Sequence, residues 1–310
     1  MFITVTGKLG SGKSTVCKAL ANEHGFKVYS TGTIHREIAK NRGISTIEMN
    51  EYMIKDTSFD FEIDREVERL SKEQEGKKIV FDSRMAWHFV PKSFKVFVYV
   101  DPLVAAKRVI ADPRGEEEPY EDLQDAMVRL LQRAQIENRR FIEIYGADYF
   151  DYDNYDLVVD STYFDAKTIA EKIYERYLEF TAGERRKEIL LTPYSVYPTK
   201  PVKRISNEKV ETILKSQDEF LKFPPEVILF DNYHYILKGH HIYLAAIKGK
   251  VPYINVKLVN KTELSTVKHI EGFTSKLSKL SIECLYDYEK TGNFLFSSYP
   301  VYYSSVSEGK

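Results

Sequence analysis

Short runs of β-branched and aromatic residues alternate along the first half of the chain with longer stretches in which apolar positions recur at helical spacing. The short runs are Phe2–Thr6, Lys27–Tyr29, Lys78–Phe81, Lys95–Val100 and Asp156–Val159. They are too brief for helices and predict strands. The longer stretches, Lys13–Glu23, Gly32–Asn41, Phe59–Gln74, Leu103–Ile110, Tyr120–Ile144 and Ala166–Tyr177, carry the helical period and predict helices. Alternation of this kind builds a parallel sheet wrapped by helices. Residues 1–183 are therefore expected to form an open α/β three-layer sandwich on a five-stranded parallel sheet.

The pattern changes at the polar stretch Thr181–Lys187, the expected linker, and residues 184–310 read as a smaller α+β domain. A helix is expected around Asn207–Gln217. A strand from Pro224 to Phe230, an Asp231-Asn232 turn and a second strand follow, and Gly239 then opens an Ala-rich helix ahead of a strand at Ile254–Val259. Charge divides at the same place. Residues 1–183 hold 26 Lys and Arg against 32 Asp and Glu, a balance of −6, and residues 184–310 hold 19 against 14, a balance of +5.

Composition narrows the class without naming a chemistry. At 310 residues, 43% hydrophobic and 29% charged, the chain has enough apolar residues for real cores, which excludes disorder throughout. Nothing approaches the ~18–20 apolar residues that span a bilayer, so no membrane partner and a cytoplasmic location are expected. Cys17 and Cys284 have neither disulfide nor zinc-ligand spacing and read as incidental. The tail aromatics Phe294, Phe296, Tyr299, Tyr302 and Tyr303 read as packing residues, with stacking on bases as the alternative.

Chemistry enters immediately after the first strand. Gly7-Lys8-Leu9-Gly10-Ser11-Gly12-Lys13-Ser14 fits G-x-x-x-x-G-K-[ST] at every fixed position, with a strand before it and a helix after it. In such a P-loop, backbone N–H groups and a helix N-terminus cradle phosphates, so Gly7, Gly10, Ser11, Gly12 and Thr15 are expected around ATP. Lys13, at a turn expected to face solvent, would reach the β- and γ-phosphates, and Ser14 would ligate Mg²⁺.

The acceptor side is sought at the carboxyl ends of the other strands, where open sheets bind ligands. Ser30-Thr31-Gly32-Thr33-Ile34-His35-Arg36 follows the second strand and offers Arg36 to an acceptor phosphate. Asp82-Ser83-Arg84 follows the third and sets a carboxylate and a guanidinium at the rim. Lys107, Arg108 and Arg114, then Arg129, Arg133, Arg139 and Arg140, lie near or on a long helix that would close over the phosphates. Cations that offset phosphoryl charge, with a lid that excludes water, are what a kinase requires.

These residues resemble the short cytidylate kinases and their archaeal-type relatives among the nucleoside monophosphate kinases. The resemblance spans about residues 1–180 and rests on the P-loop, Ser30-Thr31-Gly32 with Arg36, Ser58 to Asp64, Asp82-Ser83-Arg84, and Arg133 through Tyr145-Gly146-Ala147-Asp148. It implies that Lys13 and Ser14 serve ATP and Mg²⁺, that Arg36 and Arg84 hold the acceptor phosphate with help from Asp64 and Asp82, and that Arg133 and Arg140 belong to a catalytic lid. Asp82 would join Ser14 at the metal. Ser83 departs from the family's usual glycine, and Asp112–Glu118 is an unusual lid segment. In the second half, residues 188–260 resemble the ParB/sulfiredoxin-like fold, whose Gly-His-His-type turn marks Gly239, His240 and His241 as a candidate site. Ile242 stands where that family usually has arginine, and for both histidines turn, cap, base and metal-ligand roles remain open.

Three functions follow. The first is ATP-dependent phosphorylation of a pyrimidine, cytidylate-like monophosphate. The second is phosphorylation of a hydroxyl, on a modified base in DNA or RNA or on a small metabolite, with the C-terminal domain presenting a nucleic acid substrate. The third is a nucleotide-gated regulator, which the acceptor-side arginines disfavour.

Overall fold

Every residue of β1 (Phe2–Gly7) is buried, as a strand covered on both faces must be. The computed structural model describes residues 1–44, 58–111, 120–197, 206–216, 223–230 and 232–259. Arg114 and the Asp112–Glu118 segment, Asp231, Cys284 and the tail aromatics lie outside the described residues. Contacts divide the chain into two compact units, Met1–Glu188 and Ile189–Lys310.

In the first unit the order is β1, α1 (Lys13–His24), β2 (Lys27–Ser30), α2 (Thr31–Arg42), α3 (Ser58–Glu73), β3 (Ile79–Asp82), α4 (Ala86–Phe89), β4 (Ser93–Tyr99), α5 (Pro102–Ala111), α6 (Leu123–Tyr145), β5 (Leu157–Asp160) and α7 (Ala166–Thr181). Side by side the strands run β2, β3, β1, β4, β5, and neighbours are parallel, with Val28 beside Val80, Val5 beside Val96 and Val98 beside Val159. The chain leaves β1 towards β2 and later crosses it to reach β4. Their carboxyl ends therefore meet around the end of β1, the position at which such sheets bind ligands. Ile3, Val5, Val80, Phe81, Val96 and Phe97 have no exposed surface, and the core lies along these strands.

Three local differences from expectation have physical causes. β4 starts at Ser93 because Phe2 pairs with it. The short α4 went unpredicted, since four residues are too few to display a period. Helix α6 begins at Leu123, not Tyr120, because extended Asp122 caps it, accepting a hydrogen bond from the Asp125 N–H at 2.8 Å. The contact division also falls later than the change in composition. Glu188 donates its N–H to the Asp156 carbonyl at 3.0 Å and pairs with Arg176 at 2.7 Å, which ties residues beyond Gly183 to the first unit.

The strand β6 (Glu188–Leu191) leads into the second unit, where β7 (Val196–Tyr197), α8 (Asn207–Lys215), β8 (Glu226–Phe230), β9 (Tyr233–Lys238), α9 (His240–Lys248), β10 (Ile254–Asn255) and β11 (Lys257–Leu258) follow. β8 and β9 form an antiparallel pair, flanked by β11 on β8 and β7 on β9. The expected strand over Ile254–Val259 is broken in two, because the Val256 N–H turns to the Ile189 carbonyl and the Lys257 N–H to Pro225. β10 thus pairs with β6, and β11 with β8.

The Asp122 cap gives a stability test. Asp122→Ala should lower unfolding stability by about 1 kcal/mol, while Asp122→Asn stays close to wild type, as read from urea midpoints.

Candidate phosphotransfer site

The loop after β1 has its shape because two glycines approach other backbones closely. A Cβ on Gly7 would lie 2.6 Å from the Val98 carbonyl oxygen, and Gly10, at φ +75°, sits where a Cβ would come within 2.8 Å of the Ala105 side chain. The Lys8 N–H donates to Val98 at 3.3 Å and the Ser11 N–H to Lys8 at 3.1 Å, which curls the loop over the strand ends. Gly12 precedes α1 without a side-chain cap, so the first-turn N–H groups point at whatever anion the loop holds.

A cavity of about 840 Å³ opens above this loop. Gly7, Gly10, Ser11, Gly12, Lys13, Ser14 and Thr15 line it, and so do Arg84 from just after β3 and Arg133 from α6. Arg84, expected to hold the acceptor, and Arg133, expected in the lid, thus line one cavity with the P-loop. Asp82 pairs with Lys13 and is buried, with 5% of its side chain exposed against 17% for Lys13. That corrects the expectation of a solvent-facing Lys13: the ammonium is turned into the sheet by a buried carboxylate. Ser83, at the family's glycine position, accepts the Met85 N–H at 3.3 Å, so its hydroxyl forms the turn that launches α4.

Asp64 and Arg140 do not line this cavity. Asp64 on α3 accepts a hydrogen bond from the Tyr145 hydroxyl at the end of α6. Arg140 lies with its guanidinium 5.4 Å from the Phe141 ring and is not among the residues lining the cavity. The backbone of Arg36 belongs to α2, and its side chain lies outside the description. In the second unit, Gly239 precedes α9, His240 is buried, and His241 Nε2 accepts the Ser206 N–H at 3.2 Å. His241 therefore joins the start of α8 to the start of α9, a structural contact that a metal at the same nitrogen would have to displace. No cluster of three or more His, Cys, Asp or Glu suited to a metal occurs among the described residues.

Arg108, expected among the cations near the closing helix, is found on the P-loop, and Ser161 and Glu137 join the site without having been expected there. Arg108 Nη1 donates to the Gly10 carbonyl at 3.4 Å, and Nη2 to the carbonyls of Ser161 at 2.6 Å and Thr162 at 3.2 Å. The Ser161 hydroxyl in turn donates to the Ser11 carbonyl at 2.9 Å. These bonds tie the P-loop to the loop after β5. Burial lowers the pKa of Arg108 and the nearby Asp160 opposes the change. Glu137 pairs with Arg84 and with Arg133 one turn earlier, an i,i+4 spacing that was visible in the sequence. Burial pushes the Cys17 thiol up, with Asp82 adding and Lys13 opposing, which leaves it neutral and inert beside the site.

A phosphate loop at the end of the central strand, facing cations from neighbouring elements across one cavity, defines a P-loop phosphotransferase, and the protein is an ATP-dependent kinase. Residues 2–163 match the Cytidylate kinase-like family, and the chain belongs to it. Among its relatives, the cytidylate kinase of Sulfurisphaera tokodaii is 31% identical over 180 residues, covering 58% of this chain and 96% of that protein. The cytidylate kinase of Ignicoccus hospitalis is 33% identical over 172 residues, covering 55% and 95%. Shikimate kinase from Bacteroides thetaiotaomicron has a TM-score of 0.41 at 15% identity, covering 59% of this chain and 98% of that one. Among the described residues no helix is long and apolar enough to cross a membrane.

Lys13→Ala should reduce transfer by 10²-fold or more and also cost about 2 kcal/mol of stability, because it strands the Asp82 carboxylate. Lys13→Ala combined with Asp82→Asn should recover the stability but not the transfer. Thermal melts alongside ADP-release assays separate the two effects.

Proposed function

We propose that this kinase phosphorylates a nucleotide, a pyrimidine monophosphate of the cytidylate type, with ATP as donor. The observation that carries the reading is the cavity shared by the P-loop and by Arg84 and Arg133. Relatives named cytidylate kinase over nearly their whole length add support. An acceptor phosphate held by guanidinium groups lies beside the γ-phosphate of an ATP whose chain follows the loop. One acceptor phosphate oxygen attacks the γ-phosphorus, the bond to the β-γ bridging oxygen breaks, and ADP and a nucleoside diphosphate leave. No covalent enzyme intermediate forms.

Each residue then has a task. Lys13 exchanges Asp82 for the β- and γ-phosphates and offsets charge that grows in transfer. Ser14 and Asp82 present hard oxygen donors that fit Mg²⁺, which would supply further charge neutralisation on the phosphates. Arg108 keeps the loop in place through three carbonyls. Arg84 and Arg133 meet the acceptor and the phosphoryl group, and Arg36 and Asp64 hold the acceptor from α2 and α3. Arg140 serves the lid.

A second reading comes from the +5 balance of residues 184–310, which favours a polyanion and hence an acceptor hydroxyl presented on DNA or RNA by a ParB-like second unit, with Gly239, His240 and His241 near its ligand. Labelled ATP offered with CMP, dCMP, UMP, AMP, GMP, nucleosides and DNA or RNA separates the readings. Label moving to CMP or UMP supports the first; label moving only to nucleic acid replaces it with the second.

On the first reading, Arg84→Ala should lower kcat/KM for the monophosphate by ~2–4 kcal/mol while the Kd for ATP stays near wild type. An equal loss in both would move Arg84 to the donor side.

A further inference from the structure

Arg84 and Arg133 come from different parts of the chain, just after β3 and the middle of α6, and carry like charges to one cavity wall. Unaided, the two guanidinium groups would repel and turn apart. One carboxylate prevents this. Glu137 Oε2 lies 2.9 Å from Arg84 Nε, and Glu137 Oε1 lies 3.5 Å from Arg133 Nε. Each oxygen of a single side chain therefore serves one arginine. Glu137 is 19% exposed, Arg84 28% and Arg133 49%, so the carboxylate is the most enclosed member of the group.

We propose that Glu137 is a positioning residue, which sets Arg84 and Arg133 side by side so that both can act on the same phosphoryl group. The proposal rests on the acceptor reading of these two arginines. Contact at Nε directs a guanidinium so that its far edge, with the terminal nitrogens, is the face that can fork onto phosphate oxygens. The neighbouring Tyr149 hydroxyl donates to the Ala134 carbonyl at 3.3 Å. Arg84 Nε and Glu137 Oε2 are both shut off from solvent, yet are not aligned as a hydrogen bond.

The sign of the effect separates positioning from a structural role or direct binding. Replacing Glu137 with glutamine adds net positive charge beside the phosphates, so acceptor binding is not weakened, while the arginines lose their common anchor. Glu137→Gln should therefore lower kcat by about 10- to 100-fold with the acceptor KM no higher than wild type. Glu137→Asp, which keeps the carboxylate on a shorter stem, should fall between Glu137→Gln and wild type. Because the carboxylate acts partly through Arg84, Glu137→Gln combined with Arg84→Ala should be less impaired than the product of the two single effects, the remaining loss coming from Arg133.

The experiment is ADP release with ATP, Mg²⁺ and CMP for wild type, the three single variants and the double variant, with thermal midpoints measured on each. A double variant slower by the product of the two single effects would overturn the proposal. So would a raised KM at unchanged kcat, or a lowered midpoint at unchanged kcat. Wild-type protein that turns over no monophosphate fails the acceptor reading instead. Coupling between Glu137 and Arg84 is then read from basal ATP hydrolysis by the same variants, where additive effects again overturn it.

Discussion

The ion pair between Lys13 and Asp82 joins the two strands on which the site depends. Asp82 ends β3 and Lys13 begins the helix that follows β1, and these strands are direct neighbours in the sheet. The carboxylate is buried, so the ammonium is needed there for stability when no phosphate is present. The same ammonium is what a triphosphate requires. On the proposed reading, donor binding exchanges one anion for another around this cation.

Rigidity of the loop comes from a different arginine than the two held by Glu137. Arg108 spends its terminal nitrogens on carbonyls of Gly10, Ser161 and Thr162, neutral acceptors that no incoming anion competes for by charge. Arg84 and Arg133 are instead held at Nε by a carboxylate. A phosphoryl group can approach them without breaking a backbone network. The partners of these guanidinium groups therefore differ in kind, neutral carbonyls for Arg108 and a carboxylate for Arg84 and Arg133, although all three line one cavity.

The two histidines of the second unit have structural surroundings that spacing alone does not show. Gly239-His240-His241 has the look of a ligand turn, but His240 is buried and His241 receives the N–H of Ser206, the residue whose hydroxyl also accepts the Lys209 N–H to cap α8. Sequence spacing shows neither contact, because Ser206 lies far from His241 along the chain.

The residues alone determined the alternation of strands and helices in residues 1–183, the position of the P-loop between β1 and α1, and the strand ends at which Asp82 and Arg84 would lie. Those features are local: a period, a glycine pattern, and the rule that ligands gather at strand carboxyl ends. Even the Arg133–Glu137 spacing was legible on a single helix. Tertiary structure decided everything that depends on which elements become neighbours. It turned Lys13 inward to Asp82, brought Glu137 onto Arg84, placed Arg108 on the P-loop, and split the strand after Ile254 between two partners. Each of these contacts joins residues whose separation along the chain carries no information about their distance, because the crossover of the sheet, and not any local propensity, sets which side chains meet.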